Sequence, residues 1–533
     1  MMMDAAVWKQ VEAPVAGNLG WSALVAVLPI VALGLLLVWR RWSSVPAVAA
    51  SLALALVLCV GVWGMPLPAA GGALLYGALY ALLPIGLIVV AAVLLFNLVV
   101  ASGRFEVVKA SLTALSPERP VQVLVVAYAF GALLEGAAGY GTPVAIGGAI
   151  LVGLGLTPVR AAVVALLANT APVAYGSLGI PVLVGVELSG RTQVGPTTAA
   201  VAILLPLMSL SAPIVAVAAA CGWRDTVRAW PVILPAIIAY TGLQFATAML
   251  TGPALPDVVA GIGTFLVLLI ATRLRHRGES TTPMPPIGDL LRAWGPFMLL
   301  TGLVILWGIP EIKAWLKECS LWKWHIPGLD HLVARPDGKP LDVVYKLEPF
   351  AMPGTAIVLA VLLSVPVLGL NIAKAWTTTV TTLASLLKSL LAIVLMLAFA
   401  TVMNYGGPAA TLGACLAVTG QAYPFIAPIL GWIGVFLTGS DTSSNAIFGG
   451  MQTAAADKLG LPPALGLGAN TAGGGVGKMI SPQSIAIATG AVGAKGQDAD
   501  ILRGTLGWSL VILALVCLGS GVMAWLAPHL PIR

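Results

Sequence analysis

Few residues of this 533-residue chain can do chemistry, and they stand where charge is costly. Glu135 opens EGAAGYGTP (135–143) and Asp441 lies in GSDTSSNA (439–446), both inside long apolar stretches. An ionisable group at bilayer depth costs at least ~2.5 kcal/mol on insertion scales, so each acid needs a partner, a water-filled cavity or a bound proton. Nearby are groups able to hold a small anion. Ser440, Thr442, Ser443, Ser444 and Asn445 flank Asp441; Asn169 and Thr170 belong to ANTA (168–171), Asn470 and Thr471 to a second ANTA (469–472), and Lys478 follows eight residues after Asn470. Both ANTA segments precede helix breakers, Pro172 in one copy and Gly473 to Gly475 in the other. A helix broken at mid-membrane exposes N–H groups at one half and C=O groups at the other, so it can hold an anion together with a cation or proton.

Each of these residues has a structural alternative. Glu135 can be tied to a hydroxyl or a backbone N–H, and Asp441 can be a helix N-cap. The asparagines can join helices through hydrogen bonds, and Lys478 can extend to an interface. Tyr140 and Tyr175 can be packing residues. Glu106, Glu187, Asp225 and Asp257 lie near expected helix ends and are read as interfacial.

The elements that must position these groups are set by composition. Charged residues make up 9% of the chain and hydrophobic ones 59%, against about 25% charge in a soluble domain. The fold class is an all-α polytopic membrane protein. Runs such as 21–39, 45–63, 74–100, 197–220, 355–370 and 504–526 approach or exceed the ~20 residues that cross a bilayer, and the whole chain offers roughly twelve to fourteen full or partial crossings. The first run is too long for a signal-peptide core and reads as a retained helix. Four of the five cysteines lie in apolar runs, and His276, His325, His331 and His529 fall in loops or at the C-terminus, so no disulfide framework, metal site or cofactor is expected.

The formal charge of +7 does not call for a nucleic-acid partner, because the basic residues cluster at helix ends: Arg40-Arg41, Arg104/Lys109/Arg119, Arg224/Arg228 and Arg273/Arg275/Arg277. That pattern marks cytoplasmic loops. It puts the N-terminus outside, together with the hydrophilic segment from Pro310 to Pro349, which carries six basic and six acidic residues between Glu311 and Glu348. WLKECSLWKWH (315–325) in that segment reads as an interfacial helix or a solvated loop.

The two halves share an order of features. Glu135, LGLTP (154–158), ANTA, Gly176 and Pro181 are matched by Asp441, LGLPP (459–463), ANTA, Gly477 and Pro482, with identical spacing from asparagine to glycine to proline. An odd number of crossings between the copies makes this an inverted-topology repeat, an architecture of secondary transporters. Around Glu135, Gly136, Gly139, Gly141 and Pro143 disfavour a continuous helix and predict a re-entrant hairpin with Glu135 at its tip. The chain divides into N-terminal scaffold helices (1–120), a first repeat (121–220), connecting helices (221–308), an extracytoplasmic loop (309–350), scaffold helices of the second half (351–423) and a second repeat with the last span (424–533). ANTAGGGVGKMIS (469–481) is a false phosphate loop: Met479 stands where a magnesium-binding hydroxyl belongs, and the first glycine is misplaced.

At these residues the chain resembles the L-lactate permease family of bacterial transporters. The likeness rests on LLEGAAGYGTPVAIGGAILVGLGLTP (133–158), ALLANTAPVAYGSLGIPV (165–182), TGSDTSSNAIFG (438–449) and ANTAGGGVGKMISPQSIAIATGAVG (469–493). The resemblance implies uptake of lactate, or glycolate, with a co-transported proton across the bacterial inner membrane. A likeness to ion transporters with paired hairpins and Asn-Thr broken helices implies an elevator-like movement. On that reading Glu135, then Asp441, carries the proton. Asn169, Thr170, Asn470 and Thr471 hold the substrate, Lys478 offsets its charge or that of Asp441, and Tyr140, Thr142, Tyr175, Ser440, Ser443, Ser444, Asn445 and Gln483 complete the candidate contacts. A sodium-coupled carboxylate carrier is the alternative. A channel lacks a filter motif, an enzyme lacks a recurring nucleophile, base and orienting group, and the oligomeric state, monomer or homodimer, is open.

Overall fold

The computed structural model describes residues 7–114, 116–139, 141–275 and 284–532; Tyr140 and His276 lie outside them. Among the described residues ten helices are long and apolar enough to cross a membrane, or twelve if two bent pairs each count as one span. The protein is a multi-pass helical membrane protein. The run expected at 74–100 extends to a 35-residue helix, Leu67–Ala101, loosened by a π-turn at Ala81–Ile85 around Pro84. The run at 197–220 bends by 41° between Val194–Leu204 and Pro206–Cys221. The run at 355–370 is shorter than a span: Pro353–Val367 has 15 residues, about 22 Å of helix.

Hydrogen bonds and ion pairs define two ends of the bundle. At one end Trp8–Lys9 pairs in parallel with Val333–Ala334, and Gln10 Nε2 donates to the carbonyls of Asn404 and Tyr405, each at 2.9 Å. Arg335 donates to Gly190 O at 2.6 Å, and Arg191 meets Asp457 at 2.9 Å. The N-terminal strand and the 310–349 segment therefore share a face. In WLKECSLWKWH the helix Pro310–Ser320 gives way to a strand, Trp322–His325, antiparallel to Val344–Leu347. An interfacial helix covers only its first half, because the alternation of Trp322, Lys323, Trp324 and His325 suits a strand. Asp330, His331 and Asp342 in this segment bring ligand-type atoms within 4.8 Å of one another.

The opposite end carries Arg40-Arg41, Arg224, Arg228 and Arg104, the last on Asp289 at 2.5 Å. The helix Ile372–Gly406 runs 35 residues between the two ends. It packs against Ser44–Gly61, Leu67–Tyr80 and Gly86–Ala101, and Asn97 donates to its Thr382 at 2.8 Å.

Of the four acids read as interfacial, Glu106 and Asp225 are exposed and paired with Lys109 and Arg228. Asp257 is not interfacial: it is 1% exposed and accepts hydrogen bonds from Gln244 and Tyr240 of the preceding helix. Glu187 is half-buried and accepts a hydrogen bond from Tyr76.

Candidate functional site

Two helical hairpins and two broken helices converge at the middle of the bundle. The first hairpin joins the span Arg119–Ala137 to Thr142–Gly153. Its open ends lie together, since a Cβ on Gly155 would stand 3.8 Å from Arg119 Nη2. The tip turns at Gly139 and Gly141, with φ of +63° and +79°, values that glycine adopts without steric cost. A Cβ at Gly139 would meet Ser177 Oγ at 2.0 Å, and one at Gly141 would meet Ile487 at 2.7 Å. Pro143 sits in the first turn of the second arm, where proline is tolerated. Glu135 lies in the last turn of the first arm rather than at the tip.

The first broken helix bends by 66° between Pro158–Ala168 and Val173–Ser189. Its break starts at Asn169 and includes Ser177, Leu178 and Gly179 at φ of +48°, +59° and +78°. Such non-glycine residues cost about 1–3 kcal/mol each and persist only where surroundings hold them; here Ser177 Oγ donates to Ala138 O of the hairpin tip at 3.1 Å.

The second hairpin joins Tyr423–Thr438 to Asp441–Lys458 through Gly439 and Ser440. Ser440 is the N-cap, accepting from the Ser443 N–H at 3.3 Å, so Asp441 is the first helical residue and not a cap. The second broken helix departs from expectation. It runs unbroken through the second ANTA and the three glycines, from Pro463 to Gly477, and breaks only at Lys478–Ile480 before Pro482–Val492. The glycines serve packing: a Cβ at Gly473 would stand 1.9 Å from Pro428 O, at Gly474 2.1 Å from Asp441 Oδ1, and at Gly477 2.5 Å from Trp432 O. Small residues allow such close approach of helices within membranes.

These elements enclose a cavity of about 650 Å3. It reaches the surface at Ser43, Ser44 and Lys388, all exposed, the two serines following closely on Arg40-Arg41 in the chain. Of the candidate residues, Glu135, Asp441, Ser440, Ser443, Lys478 and Gln483 line it. Glu135 and Asp441 are each 3% exposed. Lys478 Nζ lies 2.6 Å from Glu135 Oε1, an ion pair between the two halves of the chain. The lysine is thus partnered by Glu135 and not by Asp441, whose two carboxylate oxygens, like Glu135 Oε2, have no hydrogen-bond partner.

The remaining described candidates, the four ANTA residues expected to hold the substrate among them, do not line the cavity. Asn445 Nδ2 donates to Pro181 O at 3.0 Å and Thr471 Oγ1 at 2.9 Å, while its Oδ1 accepts from Asn470 at 2.8 Å. Gln452 donates to Asn470 Oδ1 at 3.2 Å, and Ser444 donates to Gly431 O at 3.2 Å. This network is internally satisfied and joins both halves. Tyr175 donates to Thr198 O at 2.9 Å, and Thr170 Oγ1 to Leu166 O at 3.4 Å. Thr142 is half-buried at the start of its helix. Asn169, 3% exposed, has no partner for either side-chain polar atom.

Sequence reasoning passed over two groups. Lys388 and Ser389 line the cavity mouth from the helix Ile372–Gly406; the signal was a lone lysine in the apolar run LASLLKSLLAIV (383–394). Ser177 and Ser484 also line the cavity and carry no motif of their own.

The family model for L-lactate permease matches residues 22–527. An L-lactate permease of Bacillus subtilis is 38% identical, covering 98% of this chain and 100% of the relative. A glycolate permease of Escherichia coli is 39% identical, covering 96% of each. Among solved structures the YdaH transporter of Alcanivorax borkumensis aligns over 96% of this chain and 98% of that one, at 17% identity and a TM-score of 0.46. The chain belongs to the L-lactate permease family, whose named relatives are membrane permeases and not enzymes.

Proposed function

We propose that this permease takes up L-lactate or a related 2-hydroxy monocarboxylate, glycolate included, with a proton across the bacterial inner membrane, its N-terminus outside. The names of its relatives support the substrate class. The observation that carries the coupling is the buried Lys478–Glu135 pair on the cavity wall. A substrate carboxylate reaching Lys478 competes with Glu135 for one ammonium. A proton on Glu135 releases the lysine and balances the arriving charge, so anion and proton are bound together. In this reading Ser440, Ser443 and Gln483, which line the same cavity, bind the substrate hydroxyl and second carboxylate oxygen, with Asp441 a further proton acceptor.

The energetics favour this arrangement. An anion moving alone into a negative interior works against ~2.3 kcal/mol per 100 mV. One accompanying proton removes that opposition, and each unit of inward pH gradient adds ~1.4 kcal/mol. The two copies, with hairpins opening toward opposite ends and breaks meeting at the centre, are read as an inverted repeat. In this reading the repeats move together against a scaffold that includes Ile372–Gly406. On the same reading the cavity opens to the cytoplasm, at the end that carries Arg40-Arg41.

The test is uptake by the purified full chain in vesicles loaded with a pH-sensitive dye in sodium-free buffer. External L-lactate is expected to acidify the lumen, and unlabelled glycolate to compete. Lactate uptake without proton movement contradicts the proposal.

A further inference from the structure

Against Gly136, the residue after Glu135, and outside the cavity lining lies a second buried carboxylate. Asp257 is the second residue of the helix Pro256–Arg275 and packs on the first hairpin: a Cβ on Gly136 would stand 2.9 Å from its Cβ. Its Oδ1 accepts from Gln244 Nε2 at 2.8 Å and from Tyr240 OH at 3.3 Å, whereas Oδ2 has no partner. Gln244 also donates to Ala171 O, at the first break, at 3.2 Å. The titratable and charged groups facing Asp257 from neighbouring elements are Glu135, Tyr128, Tyr175, Tyr240 and, farther off, Lys478. Among the described residues no cation is ion-paired with it.

Its position is what sets Asp257 apart from a merely structural acid. The helix Trp230–Thr251 starts beside Arg224 and Arg228, so the turn that follows it lies toward the opposite, loop-bearing end. In that turn Thr251 is exposed and Gly252 and Ala254 are half-exposed. Asp257 therefore stands between the exposed face of the turn and the hairpin arm that carries Glu135, whose cavity opens at the other end.

We propose that Asp257 is a proton-relay carboxylate, taking a proton from the water at turn 251–256 and passing it to Glu135. This rests on the proton-symport reading above. The Asp257 O–H proton moves to the Glu135 carboxylate. Asp257 is left as a carboxylate held by Gln244 and Tyr240 until water reprotonates it, and nothing is oxidised or reduced. When no substrate is bound Lys478 reclaims Glu135, which closes the path against leakage.

The test compares wild-type protein, Asp257→Asn and Asp257→Glu in vesicles, by labelled-lactate counterflow at equal pH and by uptake and lumen acidification under a pH gradient. Asp257→Asn is expected to keep counterflow within about twofold of wild type and to lose about a hundredfold of gradient-driven uptake. Asp257→Glu is expected to restore driven uptake with a shifted pH profile. Driven uptake by Asp257→Asn at the wild-type rate overturns the relay, as does equal loss of counterflow and driven uptake in folded protein. If Asp257→Asn does not fold, an unshifted pH profile in Asp257→Glu overturns it. A wild type that takes up lactate without acidification instead overturns the symport reading and the relay with it.

Discussion

At the scale of residues, the account turns on one buried ion pair. Removing one partner of such a pair costs about 3–5 kcal/mol because the other charge is left uncompensated. Lys478→Met is therefore expected to lower the unfolding midpoint of the purified protein markedly, and the double variant Glu135→Gln/Lys478→Met to recover most of that loss. A second substitution tests position rather than charge. A Cβ at Gly176 would stand 2.7 Å from Glu135 Oε1, so Gly176→Ala is expected to push the carboxylate off Lys478 and reduce uptake on the order of a hundredfold. Uptake at the wild-type rate in Gly176→Ala would show that the pairing geometry does not matter. Glu135, Asp441 and Lys478 were legible in the sequence because charge in an apolar run demands an explanation. Their pairing was not: Glu135 and Lys478 are 343 positions apart, and the sequence alone points to the nearby Asp441 as the lysine's partner.

At the scale of elements, the glycines of the second repeat separate what pattern can say from what packing decides. Three successive glycines after ANTA read as a helix break, yet the helix continues through them and uses them to approach the neighbouring hairpin. With Pro428 O 1.9 Å from a Cβ at Gly473, Gly473→Ala is expected to destabilise the protein by about 1–3 kcal/mol through overpacking, measured as a drop in the unfolding midpoint. In the first repeat the break does fall at ANTA, because Pro172 follows at once and Ser177 to Gly179 adopt left-handed backbone. Proline forbids the helical hydrogen bond, whereas glycine only weakens a helix that close packing can restore. For the same reason Asn470 and Thr471, mid-helix, are engaged in a satisfied network, while Asn169, at a true break, has free polar atoms.

At the scale of the whole molecule, the membrane class and the shared face of N-terminus and long loop followed from composition and from the placement of arginines. The small sheets of that loop did not, because two- and four-residue strands depend on distant partners. Within the loop Asp330 offers a pH test. Burial alone would raise its carboxyl, but the His325 ring and the Val343 N–H outweigh burial and hold it below the usual carboxylate range. A depressed folded value means its contribution is present above the unfolded value of about 3.9 and is lost as pH falls through the folded one. Amide exchange at Trp8 and Gln10, whose N–H groups donate to Leu332 O and Ala334 O of the loop, is expected to stay slow from neutral pH down to the carboxylate range and to quicken below it. Asp330→Ala is expected to quicken it at neutral pH. The central claim concerns the coupling of anion and proton across the bundle. Its most direct measurement records lactate uptake and lumen acidification together in vesicles carrying wild-type protein or Glu135→Gln. The wild type is expected to move protons with lactate and the variant to lose lactate-dependent proton movement; unchanged pH-driven uptake and proton movement in Glu135→Gln would contradict the account.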